Sequence, residues 1–122
     1  MANKHREAVE VLEKGWQLLP VGGLQSVSAA VWLGESYRVL GDAEASQRWW
    51  EVAGEGCQEL RAFNRAAADY WLGRALVGLG DWLGARKAYE SALSQQLLYP
   101  ARGEVEQSLR RLKSKRRKGF KG

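Results

Sequence analysis

Trp32-Leu33-Gly34, Leu40-Gly41-Asp42, Trp50-Glu51 and Ala53 return later in the chain as Trp71-Leu72-Gly73, Leu79-Gly80-Asp81, Tyr89-Glu90 and Ala92. Every matched pair is 39 residues apart, and one offset shared by so many positions marks two copies of a single unit. A period of this size belongs to helical arrays, in which a unit buries its apolar face by stacking on its neighbour. Such arrays bind other macromolecules along an extended surface.

Apolar residues at spacings of three and four extend the reading outward. Ala8, Val11, Leu12, Gly15, Trp16 and Leu19 form one stripe over 4–19, ended by Pro20, Gly22 and Gly23. A second helix spans about 24–40, with Val27, Val31, Gly34, Tyr37 and Leu40 inward, and Gly41 stops it. Asp42 and Asn64 are suited to cap the third and fourth helices, because a short polar side chain accepts from the unpaired N–H groups of a first turn. Gly80-Asp81 repeats the break and cap before a fifth helix that ends ahead of Pro100. A sixth covers about 102–113, with acids Glu104 and Glu106 at its start and cations at its end, matching the helix dipole. No period-two alternation long enough for a strand is present.

The chain has 122 residues, enough for one continuous core. Six Trp require a core or binding face built from large rings, while two Pro leave long segments free to be helical. The longest uncharged run, 15–34, is interrupted by Gln17, Pro20, Gly22, Gly23 and Gln25, so it is no membrane span. The first residues mix Lys4, Arg6, Glu7 and Glu10 with apolar ones and lack the apolar core of a secretory signal. A single cysteine, Cys57, fits a reducing compartment, and the expected location is cytoplasmic. The net charge is +5, but eight cations with no acid lie between Arg110 and Lys121, which leaves −3 on the remainder.

Helix, Gly-Asp turn and helix, with small residues where the two cross, resembles the tetratricopeptide repeat. Leu33-Gly34 and Leu72-Gly73, Tyr37, the small residues Ser46, Ala53, Ala85 and Ala92, and the aromatics Trp50 and Tyr89 carry the resemblance. The first segment resembles the second half of a repeat, closed by Pro20. The period is 39 rather than 34, which predicts longer helices or a longer link around 57–64. The family's usual Trp position holds Ala30 and Asp69, and Gln58 stands at the first copy's closing proline. The implied architecture is an all-α superhelix of antiparallel pairs: a half-repeat helix over 4–20, repeats over 24–62 and 64–99, a capping helix over 102–113, and a disordered basic tail over 114–122.

The resemblance also implies that the first helix of each pair lines a concave groove. Ser28, Val31, Glu35 and Arg38, then Ala67, Tyr70 and Arg74, are the groove candidates, with Arg38, Tyr70 and Arg74 setting charge preference. Where some tetratricopeptide domains clamp a C-terminal carboxylate with Lys and Asn, this chain has Val31, Glu35, Tyr70 and Arg74, which implies no such clamp. Trp49 and Trp50 point about 100 degrees apart on a helix, so one of them is a candidate exposed anchor for a partner.

Nothing in the sequence supports catalysis. His5 lies near the start, Cys57 reads as a packing thiol, and no phosphate loop, metal-ligand set or paired-carboxylate motif occurs. No cofactor or metal is expected. The expected function is a non-enzymatic adaptor or scaffold that holds a protein segment. The alternative is a nucleic-acid-associated protein held by its tail, in which Lys113, Lys115, Arg116, Arg117, Lys118 and Lys121 meet phosphates or an anionic surface. Because the first helix lacks a preceding partner, a second copy of the chain or an amphipathic segment is expected to cover its open stripe.

Overall fold

The computed structural model describes the backbone of residues 2–121 and the side chains of residues 4–113. Helices α1 (Ala2–Trp16), α2 (Leu24–Val39), α3 (Ala43–Leu60), α4 (Arg65–Leu79), α5 (Trp82–Leu93) and α6 (Ala101–Lys121) follow one another, with no strand among the described residues. Each packs against the next, and α2 also meets α4, which gives an all-α, solenoid-like stack. Short links between packed neighbours make successive helices antiparallel.

The repeated turns are built alike. Gly41 and Gly80 have φ of 85° and 80°, a left-handed conformation in which a Cβ is strained. That conformation turns the next N–H back onto the helix: Asp42 N donates to Tyr37 O, and Asp81 N to Leu76 O, both at 2.9 Å. Asp42, Asn64 and Asp81 then cap α3, α4 and α5 through Ala45 N, Ala67 N and Gly84 N at 3.0, 3.1 and 2.9 Å.

Within each pair an aromatic ring of the second helix lies against a glycine of the first. Trp50 rests on Gly34, and Tyr89 on Gly73, at positions related by the sequence offset. A Cβ at either glycine would overlap the ring. Trp50 also lies against Gly78 of α4, so one indole joins the first pair to the second. Ala53 and Ala92 are fully buried one turn further along, and small residues of this kind let two helices cross closely.

The extra length of the period goes into α3, which has 18 residues against 12 in α5. α5 ends at Leu93, ahead of Pro100 as the sequence predicts. Beyond it Arg102 donates to the carbonyls of Leu97, Leu93 and Gln95 at 2.7, 3.2 and 3.1 Å. These acceptors are thereby satisfied without further helix. α1 ends at Trp16, whose Nε1 donates to Ser26 O at 2.9 Å and whose ring meets Trp49 edge-on at 5.1 Å. Tyr37 donates to Glu13 beside it. Val11, Leu18 and Val21 remain exposed at this end.

The α6 backbone continues as helix to Lys121, beyond the boundary at 113 drawn from the sequence, where the remainder reads as disordered. A run without proline and rich in Lys and Arg, which are good helix formers, offers the backbone nothing that ends the helix at 113. No helix among the described residues is long and apolar enough to cross a membrane.

Replacing Ala92 by Leu forces branched bulk into the α4–α5 crossing. Chemical denaturation is expected to show a loss of about 1–3 kcal/mol; unchanged stability would show that the two helices are not in close contact there.

Candidate binding groove

An open groove of about 900 Å³ runs beneath the repeated pairs. Its walls come from the ends of α2 and α4, the start of α3, α5, and one face of α6. Trp50 and Tyr89, the two rings seated on glycine, both line it, so the contact that closes each helix pair also shapes the groove. Trp82 adds a 40% exposed aromatic surface. The Nε1–H of Trp50 is buried and has no acceptor among the described residues.

Arg74 organises the charge in the groove. Its Nη2 and Nε donate to Glu35 at 2.6 and 3.2 Å, which ties α4 to α2. Nη1 donates to the Tyr70 hydroxyl at 3.2 Å, and that hydroxyl donates to Glu104 of α6 at 2.5 Å. The guanidinium lies 4.8 Å from the Trp71 ring centroid, and Glu104 is 3.9 Å from Nε. Burial opposes the charge on Arg74, but the hydrogen bonds and attraction of Glu35 outweigh it and raise its pKa, so it stays protonated. Its charge is spent on holding three helices together.

The sequence-derived groove residues therefore separate into two groups. Glu35, Arg38 and Arg74 line the groove. Val31 is fully buried against Trp50 and Ala53, and Ser28 is buried with its hydroxyl on Gln25 O at 3.2 Å. Ala67 packs in the cluster around Val27, Cys57, Leu60 and Ala68, and Tyr70 is 7% exposed beside Tyr89 and Val105. None of these four lines the groove: Ser28, Val31 and Tyr70 are buried and Ala67 is half-buried. The reason is that α2 and α4 are each flanked by several helices, so residues 26–31 of α2 are buried in one unbroken run and its spacing cannot separate faces. Neither Trp49 nor Trp50 is exposed; the exposed Trp residues are Trp32 and Trp82, at 47% and 40%.

Sequence reasoning did not find Gln47, Ser108 and Arg111 as lining residues, nor the place of α6 as a wall. Of the tail cations, Lys113 is exposed on α6, and the side chains of Lys115, Arg116, Arg117, Lys118 and Lys121 lie outside the described residues.

Away from the groove, Asp69 is completely buried where the first repeat has Ala30. Ser91 Oγ and Gln95 Nε2 donate to its Oδ2 at 2.6 and 2.9 Å. Arg61 Nη2 lies 2.9 Å from Oδ1 as an ion pair without hydrogen-bond alignment. The cluster joins the ends of α3, α4 and α5 and is occupied by its own partners. Cys57 is buried nearby, and burial, with the Asp69 charge adding to it, pushes its thiol up to about 12. Such a thiol stays protonated at neutral pH and is a poor nucleophile. Among the described residues no cluster of His, Cys, Asp or Glu is placed to hold a metal ion.

Compared with known proteins, the chain matches no family model, no curated protein and no solved structure.

The raised Cys57 pKa has a consequence for stability. Folding favours the neutral thiol, so its contribution is complete below the ordinary pKa of 9.0 and is lost as pH rises toward about 12. Unfolding free energy is expected to fall between pH 9 and 11, and Cys57→Ser should remove up to about 1.4 kcal/mol per pH unit from that slope. An identical slope in the variant would show that the thiol titrates freely in the folded chain.

Proposed function

We propose that this chain is a non-catalytic adaptor or assembly scaffold of tetratricopeptide-like design, acting inside the cell, that holds a segment of another protein in the groove between α2, α3, α4, α5 and α6. The observation that carries this reading is the groove itself. It is open, about 900 Å³ in volume, and lined by the rings of Trp50, Tyr89 and the exposed Trp82. The exposed Trp82 supplies the aromatic surface on which such segments anchor. Rigid helices on all sides favour a preformed site that needs little ordering on binding.

The test is selection of random 16-residue peptides on the full chain, followed by measurement of their affinity for Gln47→Trp. Gln47 is an exposed lining residue, so the larger ring fills the groove while leaving the core intact. Selected peptides are expected to lose most of their affinity for the filled groove. Peptides that bind both proteins equally would place recognition elsewhere.

A second reading rests on the eight cations between Arg110 and Lys121, which suit a phosphate backbone. Affinity for an oligonucleotide through this run would fall steeply with salt and would be indifferent to Gln47→Trp.

A further inference from the structure

The groove is electrically lopsided. Three arginines and two glutamates line it, and the glutamates are already engaged: Glu35 by Arg74, and Glu104 by Tyr70 with Arg74 at 3.9 Å. Arg74 is matched in the same contacts. That leaves Arg38, in the last turn of α2, and Arg111, on α6. Both are exposed, and neither has an acid within ion-pair distance among the described residues. The charged side chains lining the groove, three arginines against two glutamates, leave a net charge of +1, and the two arginines without an ion-pair partner stand on two separate helices.

On the reading of the groove as the docking site, the geometry points to an acidic segment of another protein as its occupant, with carboxylates on Arg38 and Arg111 and the chain between them lying over Trp50. Arginine presents a planar fork that pairs with carboxylate through two parallel hydrogen bonds. Exposed side chains of this kind gain little from each pair but set which partners are accepted and how fast they arrive. The same groove is poorly suited to a nucleic-acid backbone. Phosphates follow one another without a break, and a strand passing through would have to lie against Glu35 and Glu104. A peptide can place its acids at the two arginines and neutral residues beside the two glutamates.

The experiment uses the full chain and the peptides whose binding Gln47→Trp abolishes. These groove-dependent peptides are expected to carry more Asp and Glu than the starting library. Representatives should lose about ten-fold or more in affinity for Arg38→Glu/Arg111→Glu. They should also lose affinity, by less, for the uncharged Arg38→Gln/Arg111→Gln. A control, Arg48→Glu/Lys87→Glu, reverses two exposed cations that do not line the groove and should change affinity by less than about three-fold. Circular dichroism and thermal midpoints establish that each variant is folded. Groove-dependent peptides without an excess of acids overturn the proposal while leaving the groove in place, as does an equal loss in the control. Binding of a labelled oligothymidine that is blocked by Gln47→Trp, or a dimer in sedimentation that Gln47→Trp abolishes, overturns it in favour of a phosphate backbone or a second copy. Peptides that survive Gln47→Trp remove the groove itself.

Discussion

The stack depends on one contact made twice: an aromatic ring of one helix packed against a glycine of the preceding helix. Trp50 lies on Gly34 and Tyr89 on Gly73, and Ala53 and Ala92 are fully buried one turn further along. A glycine in a helix interior costs roughly 0.5–1 kcal/mol relative to alanine. Here the cost is offset by burial of a ring that carries some of the largest apolar area of any side chain. Because Trp50 touches Gly78 as well, the contact sets both the closure of the first pair and its spacing from the second.

Polar groups add a second level of order at the places where pairs meet. Arg74 links α4 to α2 and, through Tyr70 and Glu104, to α6. Asp69 gathers the ends of α3 and α5 on the other side of α4. Buried charges of this kind are costly unless fully partnered, and each has several partners here. The consequence is that most polar side chains near the core are committed to the fold. Arg38 and Arg111, which have no acid within ion-pair distance among the described residues, both lie in one groove.

Much of the architecture is legible in the sequence because it is written in local chemistry. Gly41-Asp42 and Gly80-Asp81 specify a left-handed turn and a cap, and both form as such. Gly34, Gly73, Ala53 and Ala92 mark close crossings for the same reason, since only small residues permit them. The groove is less legible. Val31, Tyr70 and Ala67 share helix faces with Glu35 and Arg74, but their burial depends on α3, α5 and α6, which spacing within one helix does not report. Arg111 and Ser108 were hidden for the opposite reason: α6 reads as an end cap, and its closing of the groove follows from the pairing of Tyr70 with Glu104, 34 residues apart. A repeat offset also conceals differences between copies, as when Asp69 stands for Ala30 and recruits Ser91 and Gln95.

The most direct measurement of the ring-on-glycine account is a double-mutant cycle between Gly73→Ala and Tyr89→Leu, read as unfolding free energy. With Tyr89 present, the added methyl meets the ring, and the single change is predicted to destabilise by about 1–3 kcal/mol. With Leu at 89 much of that loss should disappear, giving a coupling of about 1 kcal/mol or more between the two positions. If Gly73→Ala instead stabilises the chain by the usual helix-interior gain, and does so equally in both backgrounds, the ring does not rest on the glycine and the account is wrong.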